Sequence, residues 1–546
     1  MSLAELTRGW RAPALLVALS LVLFLPGLAS LPPTDRDESR FAQATRQMLE
    51  TQDFVRIRFQ DEARNKKPAG IYWLQAASVA LFSDAESPAI WPYRVPSVLG
   101  ALAAVLLTFA FGRAWVGREA AFLGAVLLAS SLGLIVEAHL AKTDAVLLAT
   151  VVAAQGALGE IYRRSQAGGE VPRSWAFLFW CAQGTALLIK GPVALLASFL
   201  TAVALAFYDR RWRWLLGLRF PWGVPLMLLI AGPWFLAIIF ATDGAFVAEA
   251  GGGDLLAKLL HGQESHGAPP GTYLALAFVS FWPGSIALGM AARSAWRERR
   301  DETIRFLIAW IVPFWIAMEA IPTKLPHYVL PTYPALALLS ARALLGRDAG
   351  ERWHWLEGLC IALWGLATLV IAGGMIALPN YLLGGAMPAA VVGAAVTLVL
   401  AAQFLKSLQR GSARIWPGIA AAAVFAGVGF GLVLPALDPI WLSRGIAALV
   451  AREHLEGRPL LAVGYSEPSL VFLMGTATRL TTVDGAAELL QKIPSAVVLV
   501  SDREDAVFHA SLDKAGLAVA AVGEVAGINY SNGRRVTLRL YRSAPP

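Results

Sequence analysis

The stretch that decides the fold covers residues 175–208 and reads WAFLFWCAQGTALLIKGPVALLASFLTAVALAFY. It is too long for one membrane-spanning helix, which needs roughly 17 to 25 apolar residues, and Lys190-Gly191-Pro192 interrupts it near the middle. Arginines flank it on both sides, at 163–173 and 210–219. Because the positive-inside rule places such clusters in the cytoplasm, an even number of crossings must separate them. The sequence therefore predicts two spans here, with Lys190 at the opposite surface.

The rest of the 546-residue chain has the same character. Hydrophobic residues make up 57% of it and charged residues 15%, and the mean hydropathy is +0.57, values that exclude an ordinary soluble globular protein. We therefore predict an α-helical polytopic membrane protein with about thirteen transmembrane helices. The predicted spans are Pro13 to Ala29, Val95 to Phe111, Ala120 to Val136, Ala145 to Ile161, Trp175 to Ile189, Val193 to Tyr208, Trp222 to Phe240, Tyr273 to Met290, Ile304 to Ile321, Tyr328 to Ser340, Gly358 to Leu378, Pro388 to Phe404 and Trp416 to Leu434.

The basic residues test this count. They form short clusters in every second connection, which is typical of membrane topology and not of a nucleic-acid groove, despite the net charge of +8. The clusters begin at Arg8, Arg113, Arg163, Arg210, Arg293, Arg342 and Lys406. The remaining connections are then external: 31–92, 137–144, 190–192, 241–272, 322–327, 379–387 and everything after about 435.

Two external regions have structure of their own. In the first loop, 31–92, Glu38 to Leu49 has helical spacing and predicts a helix along the membrane surface. Ala69 to Phe82 is apolar but too short to span, which indicates an interfacial or re-entrant segment. The tail alternates short apolar runs with helical stretches, and Ser531-Asn532-Gly533 reads as a turn before the last strand. We predict a transmembrane catalytic domain over 1–440 and a small α/β domain over 441–546.

Polar residues concentrate in these external connections, where the hydrophobic core gives no reason for them. Asp37 and Arg40 follow the first span. We interpret Asp37 as an acid/base residue and Arg40 as an anion ligand, although Asp37 alone could simply cap the surface helix. Lys66 and Lys67 precede the interfacial segment, and Pro68 fixes the backbone beside Lys67. Lysines at a membrane surface often only contact lipid head groups, an alternative that stays open for Lys66.

Three further groups lie on the same predicted side. Lys142 and Asp144 enter the fourth span, Lys190 separates the fifth from the sixth, and a proline-rich stretch carries Lys324, His327 and Tyr328. These prolines could also merely shape a turn. Cations gathered in a poorly hydrated site stabilise a departing phosphate, and a carboxylate can orient or deprotonate an acceptor. The set therefore favours cleavage of a sugar–phosphate bond.

These motifs resemble the aminoarabinose transferase and protein O-mannosyltransferase superfamily of GT-C glycosyltransferases. The matching segments are Asp37-Glu38-Ser39-Arg40, Lys67-Pro68, Lys142-Thr143-Asp144, Lys190-Gly191-Pro192 and the stretch from Lys324 to Pro331. They resemble most the bacterial branch that moves 4-amino-4-deoxy-L-arabinose from undecaprenyl phosphate onto lipid A. In that branch a glutamate commonly precedes the lysine of the Lys-Pro motif, whereas Lys66 stands here, which puts a metal ligand and the identity of the sugar in doubt.

The resemblance implies an inverting transfer at the periplasmic face of the bacterial inner membrane. It implies catalytic roles for Asp37 and Asp144. The carrier-phosphate ligands it implies are Arg40, Lys67, Lys190 and Tyr328, and the candidate acceptor contacts are Glu38, Lys66, Lys324 and His327. The expected partners are an undecaprenyl-phosphate-linked sugar donor, lipid A or another glycolipid acceptor and membrane lipids, with no nucleic acid, for a protein that acts as a monomer.

The cofactor and the acceptor are less constrained. No cofactor is assigned. A divalent metal held by His261 and His266, in a loop that also contains Glu264, is an open alternative, but their spacing of five does not place them on one helical face. Protein O-glycosylation shares the donor chemistry and is not excluded. A non-catalytic polyprenyl-phosphate transporter is disfavoured, because midplane polar sites and internal repeats are not evident.

Overall fold

The computed structural model describes residues 3–249, 268–347, 352–409 and 415–543. Every predicted span coincides with a helix or with a bent or broken helix in this part of the chain. The long helices are Arg11–Phe24, Trp91–Trp115, Arg118–Ser130, Asp144–Gln166, Arg173–Lys190, Val193–Asp209, Phe220–Ala241, Glu302–Ala320, Tyr333–Leu345, Trp355–Leu383, Pro388–Gln409 and Trp416–Phe425. Shorter helices are Leu3–Leu6, Leu132–Ala138, Ala245–Val247, Thr272–Ser280 and Leu288–Arg297, with 3-10 turns at Arg213–Leu218, Gly284–Ala287, Pro326–Thr332, Leu434–Ala436 and Asp438–Ile440 and a π-helix at Ala426–Val433.

The span count is confirmed only in part. Within the described residues, eight helical segments are long and apolar enough to cross a membrane, and a ninth is added if Arg118–Ser130 and Leu132–Ala138, bent by 59°, form one broken span. Three further apolar helices have only 10–17 residues: Arg11–Phe24, Gly70–Phe82 and Val193–Asp209. The chain is thus a multi-pass membrane protein, while thirteen crossings stay a prediction.

Arginines from several of the predicted basic connections lie together at one end of the helices. At one end, Arg118, Arg293, Arg297 and Arg342 line a single cavity of about 700 Å³. Nearby in sequence to these clusters, Arg305 pairs with Asp209, which also accepts a hydrogen bond from Tyr162. The candidate site residues lie at the other end. The arginine cluster and the candidate site lie at opposite ends because successive helices run in alternating directions.

The first external loop contains the two predicted helices. Asp37–Thr51 begins one residue before the predicted bound, and Gly70–Phe82 follows a small hairpin of β1 (Arg58–Phe59) and β2 (Glu62–Ala63). The helix Asp37–Thr51 is enclosed along most of its length, since it packs against Gly70–Phe82 on one side and the C-terminal domain on another. It is therefore a buried connector between domains and not only a surface helix.

The C-terminal region forms the predicted α/β domain. Its sheet has the order β4-β3-β5-β7-β6, where β3 pairs in parallel with β4 and β5, and β7 is antiparallel to β5 and β6. The strands are β3 (Leu460–Val463), β4 (Arg479–Thr481), β5 (Val497–Ser501), β6 (Val519–Asn529) and β7 (Arg534–Ser543), and the helices are Leu442–Arg452, Pro468–Met474, Val483–Lys492 and Asp505–Ala515. Sequence reasoning missed β4, whose three residues are too few to show a pattern. The two faces of the five-stranded sheet are covered by separate hydrophobic clusters, so the C-terminal domain has its own core.

Candidate active site

A buried cluster of five ionisable side chains lies where three connections between the long helices meet. Asp144 begins one long helix, Lys190 ends another, and His327 lies in the 3-10 turn Pro326–Thr332. Nζ of Lys190 lies 2.5 Å from Oδ1 of Asp144, and Nε2 of His327 lies 3.7 Å from the same oxygen. Lys142 completes the ring, with Nζ 3.8 Å from Oδ2 of Asp144 and 3.4 Å from Nδ1 of His327. Three predicted segments, far apart in sequence, are thus brought together.

The fifth member is Glu137, which sequence reasoning did not single out. Its Oε1 lies 2.9 Å from Nζ of Lys142 and 3.6 Å from Nδ1 of His327, while its Oε2 is buried without a hydrogen-bond partner. A carboxylate at the end of an apolar helix was the available signal. Glu137 belongs to none of the short sequence motifs, so the sequence does not mark it as a site residue. The bend after Ser130 brings it near Lys142.

Lys142 stays charged despite its burial. Burial alone opposes the ammonium form, but the carboxylates of Glu137 and Asp144 outweigh it and raise the pKa of Lys142 above its usual range. The ammonium groups of Lys142 and Lys190 are therefore each paired with an acidic side chain, Glu137 or Asp144. Such a network costs much less to bury than isolated charges would, because each ion has an opposite partner.

Asp37 lies at the open side of this cluster. It is the first helical residue of Asp37–Thr51 and is solvent-exposed, and its charge acts on Lys142 and on Tyr72. The alternative that Asp37 only caps the helix is wrong, because the cap position is Arg36 and no side chain makes a capping bond there. Arg40, one turn along, is half-buried. Asp37 is thus a carboxylate that a substrate can reach.

The lysines of the first loop take different positions. Lys67 is half-buried, and its charge acts on His327, which places it beside the cluster. Lys66 is exposed. Arg64, which sequence reasoning missed, donates from Nε to Oη of Tyr72 at 3.2 Å and lies 5.1 Å over the ring of Phe41. The first loop therefore adds cations at the mouth of the site.

Residues of the proline-rich stretch make two different sets of contacts. The ring of Tyr328 lies 5.8 Å from Nζ of Lys190 and 5.1 Å from the ring of His327, so Tyr328 borders the cluster. Lys324 instead donates to the carbonyls of Glu319 at 2.6 Å and Ile321 at 2.9 Å. These are end groups of the helix Glu302–Ala320, so Lys324 caps that helix and lies apart from the cluster.

Glu38 also differs from its predicted surroundings. Its carboxylate is buried and forms a two-bond ion pair with Arg94, at 2.7 and 3.0 Å, and it accepts the backbone N–H groups of Thr34 and Ala141. Burial opposes ionisation, but Arg94 and these N–H donors hold the pKa of Glu38 below its usual value. Since its oxygens are occupied, this geometry favours a role in fixing the loop over the predicted contact with an acceptor.

No metal centre is apparent in the part of the chain that the structure describes, where no three histidine, cysteine or acidic side chains are grouped as metal ligands. The candidates His261, Glu264 and His266 lie outside the described residues. The described site is thus a set of carboxylates, ammonium groups and aromatic side chains. Such a set can bind an anion and orient a nucleophile.

Sequence comparisons relate this chain to lipid-linked-sugar transferases. The family described as dolichyl-phosphate-mannose-protein mannosyltransferase matches residues 34–243. An undecaprenyl phosphate-alpha-4-amino-4-deoxy-L-arabinose arabinosyl transferase of Pseudomonas aeruginosa is 31% identical over 366 residues, 64% of each chain. A transferase of the same name from Aeromonas hydrophila is 25% identical over 485 residues, 86% of this chain and 82% of the relative. The chain thus matches about 64% of the length of the Pseudomonas relative.

The fold is shared with a solved structure over nearly the whole chain. The crystal structure of ArnT from Cupriavidus metallidurans bound to undecaprenyl phosphate superposes with a TM-score of 0.75 at 19% identity, covering 96% of this chain and 97% of that one. The predicted architecture of a helical membrane domain with a small C-terminal α/β domain is confirmed by this likeness. This multi-pass membrane protein is thus similar in sequence to aminoarabinose transferases and shares its fold with ArnT.

Proposed function

We propose that this protein transfers 4-amino-4-deoxy-L-arabinose, or a related monosaccharide, from undecaprenyl phosphate to lipid A or another envelope glycolipid, with inversion at the anomeric carbon. The reaction takes place at the periplasmic face of the inner membrane. The observation that carries the proposal is the convergence of Lys142, Lys190 and His327 around Asp144, next to the exposed Asp37. The names of the relatives support the choice of carrier and sugar.

Charge is the reason why this arrangement suits the reaction. As an acceptor oxygen attacks the anomeric carbon, the bond from that carbon to the carrier phosphate oxygen breaks, and the phosphate leaves with the electron pair. The growing negative charge is stabilised by cations already fixed in position, here Lys190 and Lys67, with Arg40 at the open side. Since the lysines are held before substrate arrives, little reorganisation is needed.

The two predicted catalytic carboxylates have different surroundings and so take different roles. Asp37 is accessible and orients the acceptor, or removes its proton where the acceptor is a hydroxyl group. Asp144 is buried between Lys190 and Lys142, so it aims their ammonium groups at the phosphate and does not itself meet the acceptor. A phosphate acceptor is already ionised near neutral pH and needs less help from a base than a hydroxyl does.

Orientation rests on the charge pattern. The end that carries Arg118, Arg293 and Arg342 is rich in arginine, and the positive-inside rule places such an end in the cytoplasm. The cluster and the C-terminal domain are then periplasmic. Cysteine-accessibility labelling of Lys66→Cys and Arg297→Cys in intact cells tests this assignment, because only the first should react with an impermeant reagent.

A reconstituted assay tests the function. The purified protein is placed in liposomes with undecaprenyl-phosphate-linked aminoarabinose and lipid A, and products are identified by mass spectrometry. Transfer of the sugar to lipid A is expected, and it should be lost in Asp37→Asn. Transfer to a polypeptide hydroxyl in place of lipid A would indicate protein O-glycosylation. Movement of the intact donor across the bilayer without transfer would indicate a transporter and reject the proposal.

A further inference from the structure

The turn between β6 and β7 of the C-terminal domain reaches the residues directly before Asp37. The backbone N–H of Asp35 donates to Oη of Tyr530 at 2.6 Å. Nη2 of Arg36 donates to the carbonyl oxygen of Ser531 at 2.5 Å. About 495 residues separate these partners in sequence, so the contacts are a product of the tertiary structure alone. We call residues 529–533 the hairpin turn.

The hairpin turn is itself held firmly. Glu467 accepts hydrogen bonds from Nδ2 of Asn529 at 2.8 Å and from Oγ of Ser531 at 3.1 Å. Two residues from Glu467, the backbone N–H of Ser469 donates to Oδ1 of Asp35 at 3.1 Å. Because two separate parts of the C-terminal domain contact the same short loop, they restrain it in more than one direction.

The loop needs such restraint because its backbone is strained. Arg36 has φ of 65° and ψ of −108°, a region that residues other than glycine rarely occupy. Conformations of this kind are unfavourable and persist only where the surrounding structure enforces them. Arg36 immediately precedes Asp37, so its backbone angles set the direction in which the helix Asp37–Thr51 starts.

A second anchor lies on the membrane side. Glu38 is fixed by Arg94, whose guanidinium also donates to the carbonyl oxygens of Leu28, Leu31 and Pro32. Asp37 therefore stands between one anchor in the membrane domain and one in the C-terminal domain. The membrane anchor fixes the residue after Asp37, and the hairpin turn fixes the two residues before it.

We propose that Tyr530, with the backbone of Ser531, is a positioning element for the active site: the C-terminal domain holds Asp35 and Arg36 in the strained conformation that aims Asp37 at the buried lysines. This inference rests on the proposed function and gives the C-terminal domain a part in it. Tyr530 touches no substrate. Its removal should therefore slow the transfer step and leave donor binding largely unchanged.

Tyr530→Phe tests the proposal with little disturbance of packing. It removes the hydroxyl that accepts from Asp35 and keeps the ring, which lies 5.9 Å from the ring of Trp441. Tyr541→Phe is the matched control, since its hydroxyl donates to Oδ1 of Asp505 inside the C-terminal domain, at 2.7 Å. In the liposome assay we expect kcat to fall about tenfold in Tyr530→Phe, with KM for the donor within about twofold, and both constants to be unchanged in Tyr541→Phe.

Hydrogen–deuterium exchange supplies a readout that needs no activity. Tyr530→Phe should speed exchange of the amides at 35–39, whereas Tyr541→Phe should not. Unchanged exchange in Tyr530→Phe would overturn the structural restraint, and faster exchange with unchanged kcat would overturn its role in positioning Asp37. A wild-type protein that fails to transfer the sugar would count against the proposed function instead, and exchange would then still decide whether the hairpin turn restrains the loop.

Discussion

Nζ of Lys190 lies 2.5 Å from Oδ1 of Asp144 in a setting where both side chains are nearly buried. The pair joins the end of one predicted span to the start of another, which requires Lys190 to lie at the same end of the molecule as Asp144. Lys190-Gly191-Pro192 is therefore the turn that connects two helices, Arg173–Lys190 and Val193–Asp209. A basic residue at this end also becomes available for anion binding.

Breaking this pair should separate stability from activity. Lys190→Met leaves the Asp144 carboxylate buried with less compensation, and removal of one partner of a buried pair typically costs about 3 to 5 kcal/mol. The double variant Lys190→Met/Asp144→Asn removes both charges, so it should regain most of the lost thermal stability. It should not regain transfer, since the ammonium group is still missing. Recovery of activity in the double variant would contradict a role for Lys190 in stabilising the phosphate.

Asp37→Asn should abolish transfer without unfolding the protein. The side chain is exposed, so its replacement should hardly change the melting temperature, while loss of an acid/base carboxylate typically slows a reaction about 100-fold or more. Turnover in the liposome assay and thermal melting in detergent measure the two effects. Glu62→Gln, an exposed change in the same loop, is the control and should keep full activity. Equal turnover in the two variants would reject the assignment of Asp37.

Arg94→Met should destabilise the first loop. Arg94 is fully buried and serves Glu38 and three carbonyl oxygens, so the substitution leaves several buried acceptors unpaired and should cost about 3 to 5 kcal/mol. We expect a lower melting temperature and faster proteolysis within residues 31–92. The exposed Arg297→Met is the comparison and should melt like the wild type. An unaltered melting temperature in Arg94→Met would contradict the role of this ion pair.

The pH dependence of stability should report on Asp35. Burial, with a contribution from the nearby carboxylate of Glu467, raises the pKa of Asp35 from 3.8 to about 6. The folded state then binds this proton more tightly than the unfolded state. Protonation of Asp35 therefore makes its full contribution to the stability of the folded state below about pH 4, and this contribution is lost as the pH rises through about 6. Asp35→Asn cannot ionise and keeps an oxygen that accepts from Ser469. Its melting temperature relative to the wild type should therefore rise between pH 4 and pH 7, and a constant difference over that interval would contradict the assignment.

The sequence alone determined where the helices lie and which end of each is polar. Apolar length and the alternation of basic loops are local properties, because the bilayer acts on each span separately. For the same reason residues 175–208 could be divided into two helices by parity alone. Short apolar runs at 460–463, 496–500, 518–522 and 536–541 predicted four of the C-terminal strands, since a domain outside the membrane must bury an alternating or continuous apolar face. The structure extends the third to Asn529 and begins the fourth at Arg534.

Only the tertiary structure decided which polar residues meet. Sequence reasoning grouped Glu38 and Lys324 with the other candidates, but Arg94 encloses the first and the carbonyls of Glu319 and Ile321 occupy the second. It also missed Glu137 and Tyr530. Hydrogen bonds and ion pairs depend on distances of a few ångströms between segments that can be hundreds of residues apart, and no local pattern records those distances. The requirements of the bilayer therefore determine where the helices lie in the sequence, and packing between the helices determines which polar side chains come together.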